Sequence, residues 1–248
     1  MKSLIILAVT AVLFMTHDAT AGEVSVLASP GMREALLDLI PAFESAGAHK
    51  VVVTWSGTQN VRKQVAAGEV YDLVIVETSV LEDLINEGHI VRANRVDIMK
   101  SAVGAAVRAG APKPDIGSAE ALKKTLLAAG SIGYSSGPSG THIVELFQRM
   151  GIAQQIKAKL KQTAPGLRVA SAIASGEIEI GFQQVSELIH ETGVDYIGPL
   201  PADLQKITIF SAGIHSKARE PKGAQELVNY VTSPAAAPVI RKHGLEPA

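Results

Sequence analysis

Three short stretches combine hydroxyls with glycine where a strand should give way to a helix: Ser29-Pro30-Gly31, Ser56-Gly57-Thr58 and Ser135-Ser136-Gly137-Pro138-Ser139-Gly140-Thr141. The first N–H groups of a helix have no partner within it, and the helix dipole is positive there. Such a junction therefore offers an anion backbone donors and hydroxyls together. In open α/β sheets these junctions lie at the carboxyl ends of the strands, where ligands bind. Serine, threonine and glycine are also ordinary capping and turn residues, which accounts for any one junction alone. Three of them point to one shared cleft. The candidate ligand residues are Ser29, Ser56, Gly57, Thr58, Ser139 and Gly140. Pro30 needs no more than the preference of proline for the start of a helix.

Arg33, Arg62 and Arg168 each carry a guanidinium fork suited to a carboxylate or oxyanion. Arg62, one turn into the second expected helix, is the preferred candidate of the three. Proton transfer would need a general base near the ligand, and His142, Tyr134 and Glu77 are the candidates. The sequence does not choose among them.

Other chemistries lack their residues. There is no cysteine, hence no disulfide, thiol chemistry or lipidated anchor. Neither a Gly-x-Ser-x-Gly elbow nor a phosphate loop ending in Gly-Lys-Ser/Thr occurs. His49, His89, His142, His190, His215 and His243 are scattered without metal-ligand spacing, so neither a metal nor a cofactor is expected. Sugar sites use aromatic faces, and the one tryptophan, Trp55, reads as strand packing. A formal net charge of −1 argues against nucleic acid as a partner.

The elements that must hold the junctions follow from the alternation of β-branched runs with amphipathic stretches, the signature of βαβ units. Val24–Leu27, Val51–Trp55 and Leu73–Val76 read as strands, the last apolar throughout and so buried on both faces. Helices are expected over 32–45, 60–67 and 80–87. Asp97–Arg108 is one long extended stretch before the Pro-rich Ala111–Pro114, and should carry the chain out of a first lobe. A second lobe follows, with helices over 119–128 and 141–150 and strands at 131–134 and 178–182. Lys206–Ile214 returns the chain, and helices near 224–231 and 235–243 finish it. The expected architecture is α/β and two-lobed: residues 22–102 with 208–248 form lobe I and 103–207 form lobe II, each lobe a mostly parallel sheet flanked by helices, with two hinge strands.

Residues 1–21 have the form of a cleavable secretory signal: a charged start, an apolar Leu4–Met15 too short to span a bilayer, and Ala19-Thr20-Ala21 before the cut. An exported, periplasmic, freely diffusing monomer without membrane insertion is expected.

The order of Val26-Leu27-Ala28-Ser29, Trp55-Ser56-Gly57-Thr58, Gln64–Gly68, Asp72–Ile75, Pro138-Ser139-Gly140 and Gly176–Gly181 resembles the periplasmic molybdate-binding proteins over essentially the whole mature chain. That resemblance implies the type II periplasmic-binding fold, and an oxyanion held by neutral hydroxyls and backbone N–H groups. Ser29 and Thr58 match the family's hydroxyl ligands, Ser139 a backbone donor from the second lobe, and the region near Gly166 another. Gln184 stands where the family has a tyrosine; its amide can donate, but with a different reach. Val107–Ile116, Gly181–Leu188 and Ile197–Pro201 are similar to a branch that includes aconitate isomerase. Two functions are therefore implied. One is a solute-binding protein that captures a small anion, a molybdate-like oxyanion or a small polycarboxylate, for an ABC-type permease. The other is an isomerase interconverting trans- and cis-aconitate on the same scaffold.

Overall fold

The structure, a computed structural model, describes residues 22–47 and 49–248. The expected signal, residues 1–21, lies outside them. In chain order the elements are β1 (Glu23–Ala28), a 3-10 turn (Pro30–Met32), α1 (Arg33–Ser45), β2 (Lys50–Trp55), α2 (Thr58–Ala66), β3 (Leu73–Glu77), α3 (Thr78–Asn86), β4 (Val96–Ser101), β5 (Val103–Arg108), α4 (Ala119–Ala128), β6 (Ile132–Tyr134) and α5 (Pro138–Arg149). There follow α6 (Ala153–Ile156), β7 (Leu160–Gln162), α7 (Val169–Ala174), β8 (Ile180–Gln184), α8 (Val185–Leu188), β9 (Val194–Pro199), β10 (Thr208–Ile214), α9 (Pro221–Val231), α10 (Ala237–Lys242) and β11 (Glu246–Pro247).

Two sheets result, one ordered β11-β4-β10-β3-β1-β2 and the other β7-β6-β8-β5-β9. Both are mixed rather than mostly parallel. β2, β1 and β3 run parallel, but β10 lies between β3 and β4 antiparallel to both. Likewise β6, β7 and β8 run parallel while β5 opposes β8 and β9. The reason lies in the two crossings. The extended run 97–108 is two strands broken at Ala102, one in each sheet, and the return from β9 leads into β10. A strand arriving from the other sheet enters by the ligand-side edge and so runs against the βαβ strands beside it.

Burial follows the sequence pattern. β3 is enclosed on both faces, Leu73 and Ile75 packing with α1, α9 and α10, and Val74 and Val76 with α2 and α3. β2 is an edge strand and alternates between exposed and half-buried. A separate core under α4, α5 and α6 supports the second sheet. Asp72, at the foot of β3, spends its carboxylate on the fold: it accepts from Ser25 and from the N–H groups of Arg219 and Glu220. No helix among the described residues is long and apolar enough to cross a membrane.

The two halves meet where α8 packs on the Pro30–Met32 turn and where the N-cap of α7 reaches α1. Arg168, at the N-cap of α7, reaches Glu34 of α1 at 2.6 Å and Glu191 at 3.6 Å. Ser186 of α8 donates to the carbonyl of Gly31. His243, after α10, bridges His190 at 2.9 Å and Asp38 at 3.1 Å.

Candidate functional site

The three hydroxyl-glycine junctions line one cavity of about 40 Å³ between the sheets. That is room for about three waters or one compact anion. From the first sheet come Ser29, Pro30 and Gly31 after β1, Gly57, Thr58 and Gln59 at the start of α2, and Phe210 of β10. From the second come Ser135–Ser139, Pro165–Leu167, Gln183, Gln184 and Glu187.

Ser29 is held by the sheet. Its N–H donates to the Ile75 carbonyl at 3.0 Å, which fixes the residue where β1 ends. Its side chain is 1% exposed and its Oγ has no hydrogen-bond partner within the protein. A buried hydroxyl without a partner costs about 1–3 kcal/mol, so this one is suited to a ligand. Thr58 opens α2 behind Gly57, among N–H groups that have no intrahelical acceptor. In the third junction Ser139 Oγ pairs with Ser135 Oγ at 2.9 Å, and Gly137 N–H donates to Ser135 Oγ.

Gln184, 2% exposed, donates through Nε2 to Thr208 Oγ1 at 2.8 Å and leaves Oε1 buried without a partner. Turned over, the same amide would accept from Thr208 and offer its N–H groups to the ligand, so it can serve either a donor or an acceptor. Glu187 follows on α8, 7% exposed, its Oε1 accepting from Gln183 Nε2 at 2.8 Å. Burial pushes its carboxyl up to about 7, against the opposing pull of Arg168 and the Gln183 hydrogen bond.

The remaining expected residues stand elsewhere. Arg62 is a surface ion pair with Asp83 of α3 at 3.4 Å and with Glu87, the residue just past α3, at 2.8 Å, and it does not line the cavity. Arg33 lies over the Trp55 ring, 5.8 Å from its centroid. His142 falls in the second turn of α5, because the helix already starts at Pro138; its Nε2 meets the Leu204 carbonyl at 2.8 Å, and burial lowers its pKa. Tyr134 packs against the second core, and Glu77 caps α3 and accepts from Ser79. Neither they nor Ser56 and Gly140 line the cavity. Gly140 has a steric explanation: a Cβ there would fall 1.6 Å from the Ser135 carbonyl oxygen. Glu187 and Gln183 escaped the reading of the sequence, although their four-residue spacing lies inside the Gly181–Leu188 segment already singled out. Among the described residues no group of metal-ligating side chains stands together.

A family model described as bacterial extracellular solute-binding protein matches residues 24–246. The chain belongs to this family. Similar proteins include an aconitate isomerase from Pseudomonas sp, 35% identical over 229 residues that cover 90% of this chain and 87% of that one. The molybdate-binding protein ModA of Azotobacter vinelandii is 27% identical over 232 residues, covering 91% and 90%. Among solved structures, the Azotobacter vinelandii periplasmic molybdate-binding protein superposes with a TM-score of 0.77 at 19% identity, over 90% of this chain and 98% of that one. At that identity the likeness is one of fold, the two-lobed fold of periplasmic binding proteins. The cavity of this solute-binding protein thus lies between its lobes.

Proposed function

We propose that this solute-binding protein acts in the periplasm, after removal of a leader ending near Ala21, as a monomer that captures one small anion and presents it to an ABC-type permease. Residues 22–102 with 208–248 form one lobe and 103–207 the other. The observation that carries the reading is Ser29: a fully buried hydroxyl without a partner, at the point where three strand-to-helix junctions converge. The ligand is held by Ser29, Thr58, the α2 and α5 N-termini and Gln184, and its binding energy draws the lobes together, the form a permease would read. The test is thermal unfolding of the mature chain with molybdate, tungstate, sulfate, phosphate, citrate, cis-aconitate and trans-aconitate. A ligand at about 100 times its Kd adds about 2.7 kcal/mol, a clear rise in midpoint. No rise with any of them would remove the reading.

A second reading is an isomerase of aconitate type. The 35% relative supports it, and so does Glu187, a carboxyl in the cavity wall whose raised pKa suits proton transfer near neutral pH. His142, Tyr134 and Glu77 do not stand where a base would be needed. Interconversion of trans- and cis-aconitate by the mature chain decides it, and loss of that activity in Glu187→Gln with binding retained would assign the base.

A further inference from the structure

The lining of the cavity is neutral except at one point. No arginine, lysine or histidine contributes to it among the described residues, and Glu187 is its one ionisable side chain. This carboxyl is fixed in orientation. Gln183 Oε1 accepts from the Val169 N–H at 2.8 Å, so the amide cannot turn over and must aim Nε2 at Glu187 Oε1. A proton on Glu187 therefore sits on Oε2.

Little else offsets its charge. The elements packed on α8 are the Pro30–Met32 turn, β5, β8, β9 and α7. Arg168 at the N-cap of α7 attracts the carboxylate, but its guanidinium is shared with Glu34 and Glu191. Asp195 of β9 is turned to Lys113, and Arg108 of β5 lies beside Gly176. Beyond the Pro30–Met32 turn, Arg33 lies over Trp55, and His190, past α8, bonds to His243.

The other polar groups of the wall are indifferent to the protonation of the ligand. The Ser29 hydroxyl can donate or accept, and the Gln184 amide can turn. Glu187 is not indifferent. Ionised, it faces an anion as acceptor against acceptor and like charge against like; with one proton between them, the same contact becomes a short charge-assisted O–H···O⁻ hydrogen bond. Either partner can bring that proton.

We propose that the cleft binds its anion together with one proton, shared between Glu187 and the ligand, and so prefers at neutral pH and above an anion that carries its own acidic O–H over one that is fully deprotonated. This rests on the reading of the cleft as an anion site. Hydrogen phosphate and sulfate form the natural pair, two tetrahedra that differ by the proton. A carboxylic acid that keeps one proton offers the same chemistry, and trans-aconitate, which has lost its last proton by pH 8.5, separates that source from phosphate.

The experiment is calorimetric titration of the mature full chain with inorganic phosphate, sulfate and trans-aconitate from pH 5.5 to 8.5, in two buffers of different ionisation heat so that protons taken up are counted. For sulfate the affinity should fall about tenfold per pH unit above about 7, with close to one proton taken up. Above about pH 7, where free phosphate is chiefly the monohydrogen dianion and brings the shared proton itself, phosphate should stay nearly level to pH 8.5 with no uptake; trans-aconitate should follow sulfate if it binds. Glu187→Gln should abolish the slope and the uptake and raise sulfate at least tenfold at pH 8.5. Sulfate binding without pH dependence or proton uptake would overturn the proposal, as would a variant with an unchanged slope. The wild-type proton count decides the matter even if the variant does not fold. Absence of binding by every anion at every pH would instead overturn the anion-site reading, and the shared proton with it.

Discussion

Glu187→Gln should make the protein more stable, by an amount that grows from nothing near pH 4.5 to its full size above pH 7. The carboxyl has an ordinary value of 4.5 in the unfolded chain and about 7 in the fold, because burial opposes its charge. Between those values the folded state keeps a proton that the unfolded state has released, so stability must fall as pH rises from about 4.5 through 7, and the full cost is present above 7. At about 1.4 kcal/mol per pH unit the interval amounts to about 3 kcal/mol. Glutamine has nearly the same shape, keeps an oxygen for Gln183 Nε2 and never ionises, so it escapes that cost. For a chain of this size the gain at pH 8.5 corresponds to roughly 6–12 °C in Tm, shrinking to nothing near pH 4.5. His142, His190 and His215, whose values are lowered chiefly by burial, titrate alike in both proteins and cancel in the difference. The assay is thermal unfolding of wild type and variant from pH 4.5 to 8.5 in a buffer free of binding anions. Two curves that stay parallel across that range, or a variant that loses ground as pH rises, would refute the argument.

Ser29→Ala removes a hydroxyl that nothing in the protein satisfies, so the midpoint should hold or rise while affinity for the bound anion falls about tenfold or more, measured by calorimetry. Arg62→Ala should leave that affinity within about twofold and cost less than about 1 kcal/mol in chemical denaturation, since its partners are the surface carboxylates of Asp83 and Glu87; a tenfold loss of affinity would return Arg62 to the site. Gly57→Val places a side chain where a Cβ alone would stand 3.1 Å from the Gly166 N, at a φ of −59° that any residue adopts. Stability should change little, while affinity drops and small-angle scattering with saturating ligand reports a wider separation of the lobes.

How far the sequence could be read depended on whether a residue's role is set by its own neighbours. β3 was legible because Leu73–Val76 is apolar throughout, and only a strand enclosed on both faces tolerates that. The junction at Ser29 was legible because a hydroxyl followed by Pro-Gly between strand and helix is a local pattern. Glu187 was not: in the four residues of α8 it looks like any exposed helical acid, and its burial depends on what packs on α8, namely β5, β8, β9, α7 and the Pro30–Met32 turn, the last more than 150 residues away in the chain. Arg62 misled for the converse reason. Its place one turn into α2 brings it close to the junction in sequence, but the helix turns that face toward Asp83 and Glu87. The mixed sheets were hidden too, because strand direction is decided by where the chain re-enters, which composition does not record.

Where Gly57 approaches Gly166, two clasps stand close by: Ser186 on the Gly31 carbonyl and Arg168 on Glu34. Both join the lobes through the protein's own atoms, so the drawn-together form has a resting stop that does not depend on what the cavity holds. On the anion-site reading proposed above, an anion that fits leaves the clasps engaged, whereas one too wide for the cavity would hold Ser186 away from Gly31 and Arg168 away from Glu34. The clasps then act as a gauge of diameter, separating two anions that the cavity wall alone would hold equally well.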